Sequence, residues 1–310
     1  MKTQMTISRR AWAELLLLGL IWGGVFLSIR VALDEVPVVT TVLHRTFWAM
    51  LVLWGAVWWL RLPLPRDTRT WAAFLVMGLL NNVIPFALIA WGQLHIESGL
   101  TSILNAATAI FGVIVASLVF PDERLSTRRI LGVAIGFTGV VMAIGPDALT
   151  SFDLRSAGQL AVLGGALSYG IAGSWARARL GHLPPQVAAA GMLTGSTLVL
   201  LPAAFLIDGP VRFDLRPETW AAIAYYAVFA TAGAYLLYYR VLGMAGSGNL
   251  MLVTLVIPPI AVVLGALVLG ESLHSSAYLG FALLALGLLT LNGTLRWRRK
   301  PAIDPARPAD

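Results

Sequence analysis

"VFPDERLSTRRILG", Val119 to Gly132, and "LVLGESLHSSAYLG", Leu267 to Gly280, follow one pattern. Each leaves an apolar run, reaches Glu, a polar residue and Leu, crosses a short polar stretch and meets Gly. Glu123 and Glu271 lie 148 positions apart in a chain of 310 residues. The second copy keeps the glutamate, the leucine and the glycine but has lost every arginine.

Composition supplies the setting. The chain is 58% hydrophobic and 12% charged, against roughly 45–50% and about 25% in soluble domains. That much apolar surface exceeds what one aqueous core hides, so the chain belongs in a membrane. A helix crosses the ~30 Å hydrocarbon layer with about 20 mostly apolar residues. Ten such segments are predicted: 11–33, 38–60, 71–91, 99–120, 129–144, 157–175, 186–206, 220–242, 250–269 and 277–295. The connections are too short for a soluble domain. The first apolar run outlasts the 7–15-residue core of an export signal and lacks a small-residue cleavage site, so it reads as a retained helix. With no cysteine in the sequence, disulfides, thiolate metal sites and cysteine nucleophiles are excluded together.

The arginines explain the opening pair. With the N-terminus inside, seventeen of the twenty-two basic residues fall at cytoplasmic ends, among them Arg9, Arg61, Arg124, Arg177, Arg240 and Arg299. Arg30, Arg155, Arg212 and Arg216 remain outside, and Arg45 lies within the second span. This positive-inside bias predicts N-in, C-in. The net charge of +7 is topological and implies no nucleic acid. Glu123 then faces the cytoplasm and Glu271 the exterior, so the second copy shed its arginines because it is inverted.

Further matches recur at nearly that offset, 147 or 148 positions. "LIWGGVF", Leu20 to Phe26, aligns with "LSYGIAG", Leu167 to Gly173, pairing Trp22 with Tyr169 and Gly23 with Gly170. Arg30 pairs with Arg177, Pro37 with Pro184, Gly132 with Gly280 and Gly139 with Gly287. Repetition at one period marks a duplication. The predicted fold is an all-α integral membrane protein of ten transmembrane helices in two inverted five-helix repeats. Residues 1–148 form the first and 149–310 the second, joined by the polar "GPDALTSFDLRS". Inverted repeats are the transporter arrangement, with solute held near the midplane.

Ten helices in two inverted halves, "WGG" in the first helix and Glu-x-Leu after the fourth and ninth resemble the drug/metabolite transporter superfamily, EamA type. The resemblance covers essentially the whole chain and is nearest to the bacterial YddG-type amino-acid exporters. It implies outward movement of amino acids, aromatic ones included, across the bacterial inner membrane. Family members carry a proline in both the fourth and ninth helices. Here the ninth has Pro258 and Pro259, but the fourth reads "NAATAIF", Asn105 to Phe111, so equal bending of the halves is not expected.

Polar groups inside hydrocarbon face the bundle interior or a wet cavity, because an unpaired one is costly in lipid. Asn81 and Asn82, Asn105, Tyr169, and the stripe Thr231, Tyr235 and Tyr239 are the candidate substrate-binding residues, together with Trp22 beside Gly23 and Gly24. Packing by interhelical hydrogen bonds is the competing role for each. The set suits a zwitterion with an apolar side chain. Pro85, Pro258 and Pro259 are hinge candidates, and Glu123 and Glu271 are gate or fold residues.

Other features read as structural. Gly132, Gly136 and Gly139 lie on one helical face and predict close helix packing. Trp58, Trp59, Trp71, Trp220 and Trp297 fall at helix ends as interfacial anchors. Arg45, beside His44 in the outer part of its helix, is expected to snorkel to the headgroups, with a role near the substrate path as the alternative. No acidic residue lies near the centre of any span. Glu14 sits near the inner interface as a partner for Arg9 or Arg10, so facilitated efflux is expected rather than proton coupling.

A metabolite exporter is thus the leading class, without metal or cofactor. Its partners are a small solute and membrane lipid, as a monomer or homodimer. An organophosphate antiporter is disfavoured by lysines confined to Lys2 and Lys300, and efflux of hydrophobic cations by the lack of an intramembrane carboxylate. An enzyme would need a nucleophile with a base or a metal cluster, whereas His44, His95, His182 and His274 are scattered. A scaffold leaves the midplane asparagines unexplained.

Overall fold

A computed structural model describes residues 7–96, 98–153, 156–269 and 275–292. Its elements are α1 (Arg9–Gly23), α2 (Val25–Leu33), α3 (Val38–Trp59), α4 (Thr68–Gly78), α5 (Ile84–Gln93), α6 (Ser98–Ala106), α7 (Thr108–Val119), α8 (Thr127–Ile144), α9 (Ala157–Leu180), α10 (Pro185–Ile207), α11 (Pro217–Ala224), α12 (Ala234–Ala245), α13 (Ser247–Leu250), α14 (Val253–Leu269) and α15 (Ser276–Asn292). Among the described residues there is no strand. Each predicted apolar segment falls on helix over its described part, with interruptions at Gly24, Ala107 and Met251–Leu252.

Among the described residues, six stretches are long and apolar enough to cross a membrane: Val38–Trp59, Thr68–Gln93, Leu100–Val119, Thr127–Ile144, Pro185–Ile207 and Pro217–Ala245. About half of each is buried inside the protein, and the other half is an apolar outer surface. Leu118 and Leu206 are 81% and 86% exposed, which water penalises and lipid does not. The chain is a multi-pass membrane protein.

Starts and stops follow local chemistry. Ser8 accepts the Ala11 amide at 3.1 Å to open α1, Asp67 accepts Thr70 at 2.7 Å to open α4, and Ser126 accepts Arg129 to open α8. The conformation at Gly145, φ +119°, is one that glycine tolerates, and it ends α8.

Packing partners recur in matched pairs. α8 lies along α15, and α3 along α10. α7 packs on α9 as α14 packs on α1, and α5 packs on α9 as α12 packs on α1. The expected glycine face is the α8–α15 seam. A Cβ at Gly139 would sit 2.6 Å from the Leu284 nitrogen, and one at Gly287 would sit 2.5 Å from the Gly136 nitrogen. Backbone meets backbone there, and only glycine permits it.

Two π segments, Leu79–Val83 and Tyr225–Gly233, join α4 to α5 and α11 to α12. They occupy equivalent places, with starts 146 and ends 150 positions apart, close to the sequence repeat. Pro85 follows the first: it has no N–H and its ring crowds the carbonyl four residues back, so the wider turn forms just ahead of it. The second has no proline. Its spare carbonyls are satisfied by side chains, with Thr231 donating to the Tyr226 carbonyl at 2.7 Å.

The breaks do not follow the prolines. Pro258 and Pro259 lie within α14, whereas the interruption falls earlier, at Met251–Leu252. The α6–α7 break at Ala107 forms with no proline at all, so the halves are more alike than their prolines predict. Glu271 lies outside the described residues.

Candidate functional site

The interior cavity lies between the π segments, the α1–α2 break and the α6–α7 and α13–α14 breaks. It encloses about 100 Å³, where one water needs roughly 10–15 Å³. Its walls are Trp22, Phe86, Tyr169, Tyr235 and Tyr238 together with Val25, Ile29, Val42, Ile257 and other aliphatic residues. Polar groups are few: Thr41, Arg45, Asn81, Gln93, Asn105, Thr108 and Thr254.

The broken helices place these side chains. At Gly24 the chain turns with φ −80° and ψ −8°. A Cβ there would come within 2.5 Å of the Tyr225 hydroxyl, which donates to the freed Ile21 carbonyl at 2.9 Å. The adjacent Trp22 sends its indole N–H to the Ala230 carbonyl in the second π segment at 2.8 Å. The ring is thereby held at the cavity wall, 6.4 Å from the Tyr238 ring.

The first π segment turns both Asn81 and Asn82 inward. The Tyr235 hydroxyl accepts from the Asn81 amide at 3.2 Å and donates to the Asn82 carbonyl oxygen in a short hydrogen bond. Asn82 in turn donates to Ser196 at 2.7 Å. This clasp ties α4–α5 to α12 and α10.

Of the expected substrate-binding residues, Trp22, Asn81, Asn105, Tyr169 and Tyr235 therefore line one cavity. The other three stand behind it. Asn82 is fully buried in the clasp. Thr231 accepts from Arg45 at 2.8 Å, and Tyr239 lies against the Met192 sulfur at 3.7 Å, facing a separate depression with Arg177 and Leu183. Sequence reasoning missed Phe86 and Tyr238, reached Thr108 only as a flank of Asn105, and gave Arg45 a place near the solute path only as its second reading. Tyr238 carries a helical-spacing signal, three residues after Tyr235.

Arg45 corrects an expectation. Rather than reaching the headgroups, it turns inward, is 9% exposed and lines the cavity. Seven residues into α3, it is about 10 Å along the helix axis, and its guanidinium stacks on Phe86 at 3.8 Å from the ring centre. Three other lining groups have no hydrogen-bond partner among the described residues: Asn105 Oδ1, Thr108 Oγ1 and Tyr238 OH.

The end of the bundle carrying Glu123 is closed. Glu123 is fully buried and accepts the Ser247 amide at 2.9 Å, the Ser247 hydroxyl at 3.0 Å and the Gly248 amide at 2.7 Å. Arg177 meets it in a short ion pair and also reaches Asp122 at 2.6 Å. Arg129 completes the cluster on the Glu123 carbonyl at 2.7 Å and the Asn249 side chain at 3.1 Å. A buried carboxylate is tolerated when paired and hydrogen-bonded in this way. Nearby, Glu14 joins Arg240 at 2.6 Å and Arg10 at 3.2 Å. The Arg240 contact was not anticipated.

Comparison with known proteins gives this arrangement a lineage. A protein 28% identical over 309 residues, spanning 98% of this chain and 100% of its own length, is the "Probable terminal-alkyne amino-acid exporter" of Streptantibioticus cattleyicolor. The "Probable amino-acid metabolite efflux pump" of Escherichia coli is 24% identical over 301 residues, covering 94% of this chain and 98% of its own. A solved crystal structure superposes with a TM-score of 0.75 at 17% identity, covering 93% of this chain and 99% of the other, which shows a shared fold. The model of the EamA-like transporter family matches residues 11–145 and again 156–293. The chain belongs to the EamA-like transporter family.

Proposed function

We propose that this protein exports amino acids, neutral and aromatic ones included, and related metabolites across the bacterial inner membrane by alternating access. The observation that carries the reading is the cavity, where Asn105 Oδ1, Thr108 Oγ1 and Tyr238 OH lack partners amid aromatic walls. Unmet polar groups are costly in a low-dielectric interior, and a solute with a polar head and an apolar side chain meets them. The names of the two bacterial relatives support the substrate class.

In this reading the chain crosses the membrane ten times as two inverted five-helix units, residues 1–148 and 149–310, with both termini inside. The two successive family matches, the matched packing pairs and the paired π segments support it. The cavity then occupies the periplasmic half, reaching Ile29 and Gln93 near the outer ends of α2 and α5, and the Glu123 cluster seals the cytoplasmic end. The state is outward-facing, and efflux is facilitated. Export of hydrophobic cations fits less well, because no carboxylate is among the cavity-lining residues.

The test is counterflow in proteoliposomes across amino acids, sugars, phosphates and cationic dyes. Exchange of neutral amino acids is expected. Exchange of cationic dyes alone, with no amino acid accepted, would replace this reading with drug efflux.

A further inference from the structure

Arg45 stands out among the charged groups of the spans. The other arginine buried among the described residues, Arg129, has carboxylate and carbonyl partners. Arg45 has no acidic partner among the described residues. Its contacts are one hydrogen bond, Nε to Thr231 Oγ1 at 2.8 Å, and the Phe86 ring at 3.8 Å. Both terminal nitrogens of the fork are left without a hydrogen-bond partner among the described residues, on a side chain that is 9% exposed and faces the cavity.

The surrounding residues fix that fork rather than neutralise it. Thr231 accepts from Nε and passes its own proton to the Tyr226 carbonyl at 2.7 Å. That carbonyl belongs to the π segment, so an irregular stretch of the second half aims an arginine of the first. Phe86 supports the guanidinium plane from its face. A guanidinium keeps its charge in proteins and presents donors spaced for two carboxylate oxygens. Burying such a cation without a counter-ion is costly, and an arriving anion removes that cost.

We infer that Arg45 is the docking point for the carboxylate of the transported solute, with Thr231 as its positioning residue. The partnerless Asn105 Oδ1 lining the same cavity then accepts from the solute's ammonium, and Trp22, Tyr169 and Tyr238 enclose its side chain. This rests on the proposed amino-acid export but adds a ligand group that the neutral lining alone does not specify. A solute lacking a carboxylate is excluded by leaving the fork unpaired, as polar sites reject analogues that miss a hydrogen bond.

The test is binding to the purified full-length protein, read as ligand-induced thermal stabilisation in detergent. Four probes separate the groups: phenylalanine, phenylalaninamide, 3-phenylpropanoate and 2-phenylethylamine. Wild type is expected to bind phenylalanine roughly 10- to 100-fold more tightly than phenylalaninamide, the usual range for one charge-assisted contact. Arg45→Gln should abolish that preference, and Arg45→Lys should retain part of it.

Equal wild-type affinity for phenylalanine and its amide overturns the inference, whether or not the variants fold. So does a folded Arg45→Gln that keeps the preference, an outcome that leaves amino-acid export standing. Arg45-dependent binding of 3-phenylpropanoate without phenylalanine keeps the carboxylate dock and removes the amino-acid reading. Absence of any carboxylate binding to wild type counts against both.

Discussion

The Glu123 carboxylate accepts the Gly248 backbone amide at 2.7 Å, across 125 residues of sequence. One oxygen-rich side chain after α7 thereby caps the first turn of α13, next to the helix break that borders the cavity. Asp122 and Glu123 also hold Arg177 near the end of α9. The closed end of the bundle is thus wired to the element whose break lines the cavity.

Glu123→Gln keeps the shape but weakens every charge-assisted bond of this cluster. It should lower detergent stability by about 1–3 kcal/mol. Arg177→Gln in the same background should cost less than it does alone, with a coupling of roughly 0.5–3 kcal/mol expected for groups in one network. Thermal melts of the two single variants and the double variant check this, and strict additivity would refute the coupling within the cluster.

Tyr235→Phe deletes the hydroxyl that accepts from Asn81 and donates to Asn82. Interhelical hydrogen bonds in membranes average about 0.6 kcal/mol and reach about 1.7, so the protein should still fold. Counterflow should fall severalfold, because the clasp sets the register of α5 against α12. Asn82→Ala should behave alike, and unimpaired exchange in both would remove the clasp from the transport cycle.

Two glycines predict opposite outcomes. Gly139→Ala drives a Cβ to within 2.6 Å of the Leu284 nitrogen and 2.8 Å of the Gly280 carbonyl oxygen, with no flexible side chain to yield. Folded yield should collapse. Gly243→Ala, in α12, meets nothing within 4 Å and should be neutral or stabilising by up to about 0.5–1 kcal/mol. Size-exclusion profiles of the two variants make the comparison.

Glu35, in the turn after α2, is held below the usual carboxylate range, chiefly by the Thr219 hydroxyl at 2.5 Å, with help from the Arg216 amide and guanidinium. A lowered folded-state value means the stabilisation is present above the unfolded value, about 4.3, and is lost as pH falls through the lower folded one. Thr219→Val should therefore melt earlier than wild type at neutral pH. The gap should close as the solution is acidified past the Glu35 value, and a gap that widens in acid would contradict this.

Much of the helix placement is legible because apolar length is a strong signal: 38–60 and 186–206 nearly coincide with α3 and α10. Gly132, Gly136 and Gly139 were readable as a seam because small residues at helical spacing have few other uses. The cavity was partly readable, since Asn81, Asn105 and Tyr235 are polar groups in otherwise apolar spans. The π segments were not, because one extra residue per turn leaves no compositional mark, and it is that extra residue that orients Asn81, Asn82 and Thr231. Arg45 was misread for a related reason. Its position permits either snorkelling or burial, and only the distant Thr231 and Phe86 decide between them.

The most direct measurement uses the cysteine-free sequence. Single cysteines placed at Arg124 and at Ser275, the two glutamate corners, are challenged in intact cells with a membrane-impermeant thiol reagent. The cysteine at 275 should label from outside, and that at 124 only after the cells are opened. Labelling of both from the same side would contradict the inverted pair of halves, and with it the chamber between them.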